Sequence, residues 1–159
     1  MNRSRVGLAN RGSRRDNVFH AMHLVRDDLI PKVADQVMLK PNFLSSKNQL
    51  ASSHADAIRG AIDFLLTCPD PPGEILIAEG GNEEHSGESF DNFGYPALVD
   101  EYDVQIRLVD LNQETEWETE TRAGKGMSMA PPRMRAVQSS NVLEDTLIVG
   151  GVLPIGRSM

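Results

Sequence analysis

The sequence predicts an α/β domain of three layers: a mostly parallel, Rossmann-like sheet with helices between its strands. Three observations lead there. The runs Val37-Met38-Leu39 and Ile75-Leu76-Ile77-Ala78 are continuously apolar, as strands covered on both faces are. Between them lies an amphipathic stretch whose stripe is Ile58, Ala61, Ile62, Leu65 and Leu66, one face of a helix. Strand and helix patterns then continue to alternate, the order that parallel crossovers require.

Taken in order, Arg5 to Ala9 reads as a short opening strand followed by a polar, glycine-containing turn. From Asn17, the apolar residues Val18, Met22, Val25 and Leu29 recur at helical spacing, and Pro31 should end or kink that helix near Ile30. The strand Val37–Leu39 stops at Pro41. Ser53 stands where a helix N-cap is expected, with Asp56 three residues on as a variant of the capping box. Cys68-Pro69-Asp70-Pro71-Pro72-Gly73 closes that helix. The strand at 75–78 empties into Glu79-Gly80-Gly81. Phe90 and Phe93 predict a short amphipathic turn, and Pro96 suits the first position of a helix through Tyr102. Val104 to Leu108 alternates in polarity, so this strand should show one face to solvent and lie nearer the sheet edge. Residues 113–132 read either as a β-hairpin excursion, near 113–130, or as an acidic loop, and Leu147-Ile148-Val149 is the last apolar strand. Residues 1–159 form one domain in this reading, with 1–4 a flexible terminus.

A chain of 159 residues is long enough to build its own core. The net charge of -7 excludes the positive field that non-specific nucleic-acid binding needs, although Arg3, Arg5, Arg11, Arg14 and Arg15 cluster near the start. Cys68 is the only cysteine, so this chain makes no internal disulfide and supplies no four-cysteine iron–sulfur cluster. No apolar run reaches the roughly 20 residues of a membrane span, and the expected location is the cytoplasm.

In open parallel sheets, ligands bind beyond the carboxyl ends of the strands. Here those ends carry Lys40-Pro41-Asn42, Glu79-Gly80-Gly81 and Asp110-Leu111-Asn112. Lys40 and Asn42 are candidates for holding a small anion, with Gly80 and Asn112 beside them. Glu79 and Asp110 are candidates for a hard divalent cation such as Mg²⁺. Ser53 and His54 stand at a helix start, where amide N–H groups favour an anion; taken alone they read first as simple capping, and the anion reading gains from Lys40 in the loop before them. His20 with His23, and Glu83-Glu84-His85, contain metal-capable groups without a defining spacing. Neither a G-x-G-x-x-G loop nor a nucleophile elbow is present.

The string Val37-Met38-Leu39-Lys40-Pro41-Asn42-Phe43 resembles the hallmark of the DUF362 family, a broadly distributed group in bacteria and archaea with no established reaction. The likeness runs from about residue 5 to 149. Arg5-Val6-Gly7-Leu8-Ala9 resembles the family's opening strand, the segment from Asn17 its first helix, and Ser52-Ser53-His54-Ala55-Asp56 its step into the next helix. Ile77-Ala78-Glu79-Gly80, Phe93-Gly94-Tyr95 and Val109-Asp110-Leu111-Asn112 follow in the family's order. Against the family pattern, the chain looks shortened at its C-terminus and lacks the ferredoxin-like cysteines of many members, so no Fe–S role is implied.

Three functions from different classes stay open at this point. The first is a small anionic or metal-linked ligand bound at the strand ends, in an enzyme or an enzyme remnant. The second is a non-catalytic assembly module, a homo-oligomer or partner subunit, using Val104 to Leu108 and Leu147 to Val152 as surfaces. The third is a Rossmann-type cofactor domain.

Overall fold

Ser13 opens the first helix, α1 (Arg14–Leu24), with a full capping box: its hydroxyl accepts from the Asp16 amide while the Asp16 carboxylate accepts from the Ser13 amide. The computed structural model describes residues 5–80, 87–112 and 148–150, the last three in backbone only. Val18 and Met22 are the buried residues of α1. The helix breaks at Val25, resumes as α2 (Arg26–Leu29) and tightens into a 3₁₀ turn over Ile30–Lys32, where Pro31 brings no amide to continue the α-helical ladder.

Strands β1 (Gln36–Lys40) and β2 (Glu74–Glu79) are the two continuously apolar runs, and Val37, Met38, Leu39 and Ile75 through Ala78 are buried. Between them, α3 (Ala55–Leu66) buries Ile58, Ala61, Ile62, Phe64 and Leu65. Two short helices follow, α4 (Gly87–Asn92) and α5 (Ala97–Glu101). Pro96 occupies the N-cap of α5 rather than its first helical position. Strand β3 (Gln105–Asp110) keeps the predicted alternation at its start, with Ile106 buried between exposed Gln105 and Arg107. The last strand is β4 (Ile148–Gly150).

All pairings are parallel, and the sheet order is β3-β2-β1-β4. Among the described residues β3 is an edge strand, as its alternation predicts. One face of the sheet carries Val37, Leu39, Ile75, Ile77 and Ile106, packed in one core with residues of α1, α3 and the α4–α5 region. The opposite face carries a smaller cluster of Met38, Leu76 and Ala78, flanked by Val109 and Leu111. Among the described residues all packed helices lie on the first face. The expected third layer is not among them, and the expected excursion at 113–132 also falls outside the described residues.

Two local expectations are corrected. Arg5 to Ala9 forms no strand: Val6 and Leu8 stand 88% and 75% exposed. The segment is instead laid against α1, where a Cβ on Gly7 would come within 2.1 Å of the Ala21 carbonyl oxygen. Arg5 fastens it by a two-pronged bond to Asp28. The N-cap of α3 is His54, not Ser53: the His54 ring nitrogen Nδ1 accepts from the Asp56 amide at 3.1 Å. Ser53 is one residue too early to cap, and its hydroxyl is used elsewhere.

Candidate site at the carboxyl ends of the strands

The parallel register brings Lys40, Glu79 and Asp110 to one end of the sheet. Glu79 is the direct neighbour of Asp110 across β2 and β3, so their backbones are a strand spacing of about 4.8 Å apart. The Lys40 ammonium pairs with the Glu79 carboxylate and also donates to the Pro41 carbonyl at 3.3 Å. The pair is lopsided: the Lys40 side chain is 40% exposed, the Glu79 side chain 7%. A buried carboxylate carries a large desolvation cost unless a cation or donors meet it, and Lys40 meets it from the solvent side. An ammonium has three N–H donors. Glu79 and Pro41 occupy two, and the exposed head can offer the third to a ligand.

Asn42, Ser53 and His54 form the base of the loop that follows β1. The Asn42 amide donates to the Ser53 hydroxyl at 2.9 Å, and the Ser53 amide donates to the Asn42 carbonyl at 2.8 Å. Phe43 and Ser52 continue this contact as an isolated antiparallel bridge. Further in, the Ser52 hydroxyl donates to the Ser45 carbonyl at 2.8 Å, and Asn92 of α4 donates to the Ser46 carbonyl at 2.9 Å. The loop is thus closed at its neck, which fixes the direction in which β1 ends. His54 spends Nδ1 on the helix cap, and Asp56 beside it holds Arg59 at 2.8 Å. A carboxylate in the first turn of α3 satisfies the helix dipole internally.

Gly80 and Asn112 meet on the β2–β3 side. A Cβ on Gly80 would lie 3.1 Å from the Leu111 Cβ and 3.2 Å from the Asn112 side-chain oxygen, so glycine there lets the two loops close on each other. The Leu111 amide donates to the Glu79 carbonyl at 3.1 Å, and the Asn112 amide donates to the Asp110 carboxylate at 3.0 Å. The Asp110 carboxylate therefore shapes its own turn.

Sequence reasoning passed over one member of this region as a site residue. Tyr95 is fully buried and donates from its hydroxyl to the Ser53 carbonyl at 3.1 Å. Burial, and after it the charge of Glu79, push its phenol well above the usual tyrosine range. Tyr95 thus ties the segment before α5 to the loop neck. It stands on an aromatic cluster in which Phe43 meets Phe90 and Tyr95 edge-on, at ring separations of 5.1 and 5.2 Å. Its signal in the sequence was the string Phe93-Gly94-Tyr95, in which Gly94 takes φ 71°.

The other sequence candidates stay apart from this site. His23 contacts Arg26 at 2.7 Å, on the outside of α1. Burial pushes the Cys68 thiol up, away from thiolate reactivity. Glu83-Glu84-His85 lies outside the described residues. Among the described residues no group of three or more His, Cys, Asp or Glu side chains gathers to hold a metal ion, and no helix is long and apolar enough to cross a membrane.

Comparison with known proteins matches one family across residues 37–143, described as a domain of unknown function, DUF362. No curated protein and no solved structure matches the chain. The matched span starts inside β1, includes Lys40, the loop neck, Glu79, Tyr95 and Asp110, and covers more than half of the sequence, so the chain belongs to the DUF362 family.

Proposed function

We propose that this domain binds a small anionic ligand at the carboxyl ends of β1 and β2, carried there with a divalent cation. The observation that supports the reading is the lopsided Lys40–Glu79 pair, a half-exposed ammonium tethered to a buried carboxylate. Charge counting shapes the rest. Lys40, Glu79 and Asp110 sum to one negative charge, so a bare anion meets Lys40 and then a net repulsion. A cation bridging the anion to Glu79 or Asp110 removes that repulsion, and oxygen donors suit Mg²⁺. Lys40 contacts the anion in this reading, with Asn42 beside it. Glu79 and Asp110 face the cation. Ser53, His54, Gly80 and Asn112 hold the surrounding loops in place.

The test is thermal unfolding with orthophosphate and with citrate, each with and without Mg²⁺. A ligand at a hundred times its Kd stabilises by about 2.7 kcal/mol, which for a domain of this size raises Tm by roughly 5–10 °C. The expected pattern is a rise with anion and Mg²⁺ together, a smaller rise with either alone, and none in Lys40→Ala. The reading fails if no combination stabilises the wild-type chain more than it stabilises a Lys40→Ala/Glu79→Ala variant.

A further inference from the structure

The strand order says from which side a ligand reaches this site. From β1 the chain steps to β2 and then to β3 in one direction, and β4 lies on the opposite side of β1. The order therefore reverses between β1 and β4. In open parallel sheets the crevice for a ligand forms outside the carboxyl ends of the strands where the order reverses. The register places Lys40 directly beside Gly150 at that point. A lysine ends one strand there and a glycine ends its neighbour, so a cation stands next to a position where a ligand can come close to the backbone.

The other side of the site is closed. Leu111 and Asn112 lie over Gly80, too near to admit even a methyl group without displacement. The Leu111 amide is bonded to the Glu79 carbonyl, which stitches the β2 and β3 loops together. Glu79 is itself buried. A ligand that reaches the Lys40–Glu79 pair therefore does not come in between β2 and β3.

We propose that the ligand is an anion-terminated organic molecule, of the phosphate monoester type, lying across the β1–β4 reversal. Its anionic end sits on Lys40 and its organic body lies against Gly150. This rests on the anion reading above and adds a direction and a ligand class to it. A lysine head binds phosphate as a point charge, and a strand that ends in glycine presents backbone rather than a side chain to the ester group.

The experiment uses the full chain labelled with ¹⁵N, titrated in Mg²⁺ with orthophosphate and, separately, with adenosine monophosphate as the ester probe. Orthophosphate is expected to shift the Lys40 amide and leave Gly150 nearly unmoved. The ester should shift both, and should leave the β3 amides Gln105 and Ile106 in place. Gly150→Val is expected to weaken the ester by on the order of ten-fold and orthophosphate by less than about two-fold. If orthophosphate and the ester both shift Lys40 but the ester leaves Gly150 unmoved, the β1–β4 placement is overturned while the anion reading stands. If neither probe shifts Lys40, the anion reading falls and this inference with it. The amide shifts are read on the unmodified chain, so a poorly folded Gly150→Val does not blunt the test.

Discussion

Two regions of this molecule pair their charges in opposite ways. On the outside of the helices, Arg15 reaches Asp63 and the Tyr102 hydroxyl, and Arg59 grips Glu101 with both prongs at 2.6 and 2.7 Å while also holding Asp56. Each cation there meets partly exposed carboxylates, and Glu101 titrates below the usual glutamate range because Arg59 bonds it. At the strand ends the pairing is unequal: one half-exposed ammonium faces a buried carboxylate with a second carboxylate alongside. The helical network joins α1, α3 and α5 through carboxylates that water reaches: the side chains of Asp63, Asp56 and Glu101 are 25%, 43% and 39% exposed, against 7% for Glu79. Desolvation of its buried carboxylate sets the strand-end pair apart. That contrast is the reason to look for function at the strand ends and for assembly of the fold in the network.

The comparison breaks most visibly if the strand-end region loses its footing. Phe43 sits directly after the Pro41-Asn42 corner and is almost completely buried against Phe90, Phe93 and Tyr95. Phe43→Ala should cost about 3–5 kcal/mol, the range for large aromatic truncations in a core. Urea unfolding followed by circular dichroism reads it. A loss below about 1 kcal/mol would place the aromatic cluster outside the cooperative core and remove the rigid base from under Lys40.

A second experiment sharpens the contrast between partly exposed and buried carboxylates. Lys40→Met leaves Glu79 buried without its cation and should cost roughly 2–3 kcal/mol, somewhat below a fully buried pair because Lys40 is partly solvated. Adding Glu79→Gln should recover much of that loss. The same cycle with Arg15→Met and Asp63→Asn, a more exposed pair, should couple by no more than about 1 kcal/mol. Urea denaturation of both sets gives the two coupling energies. If they are equal, or if the strand-end pair is additive within about 0.5 kcal/mol, the asymmetry carries no energetic meaning.

The sequence made the centre of this fold legible because the relevant patterns are local. Val37–Leu39 and Ile75–Ala78 are short apolar runs stopped by Pro41 and bounded by Gly73 and Gly80, which reads most simply as buried strands, and the stripe of α3 has the spacing of a helix face. The juxtaposition of Lys40, Glu79 and Asp110 followed from strand order alone, since each ends a parallel strand. What escaped is set by contacts distant in sequence. Arg5 to Ala9 has the composition of a strand, yet Gly7 lies on α1 and Arg5 is held by Asp28. Ser53 has the chemistry of a cap, but the loop neck takes its hydroxyl for Asn42 and leaves the cap to His54. Tyr95 stood in the Phe93-Gly94-Tyr95 string, but its role comes from burial and from a bond to the distant Ser53 carbonyl. The position of β4 beside β1 was equally hidden, since no local pattern says which neighbour a strand will take.

The smallest effect separates the two regions through their tyrosines, because the chain has only two and each region owns one. Tyr102 donates from its hydroxyl to Asp63 at 3.1 Å in the helical network, and burial, followed by Asp63, pushes its phenol up to about 12. Tyr95 is raised further, by burial and then by Glu79. Both folded values lie above the ordinary 10.0, so neutral tyrosine contributes stability that is fully present below that pH. The contribution is lost as pH rises through the folded values. Absorbance at the tyrosinate band should therefore stay flat through the ordinary tyrosine range. Tyr102 should then ionise as a shallow, reversible step, whereas Tyr95 should ionise only in the cooperative step of unfolding. Tyr102→Phe should delete the first step and Tyr95→Phe should change the second. A Tyr95 signal that titrates reversibly in the folded protein would mean that water reaches its hydroxyl, and with it the Ser53 carbonyl, without unfolding. The loop neck would then lack the buried footing that sets the strand ends apart from the partly exposed helical network.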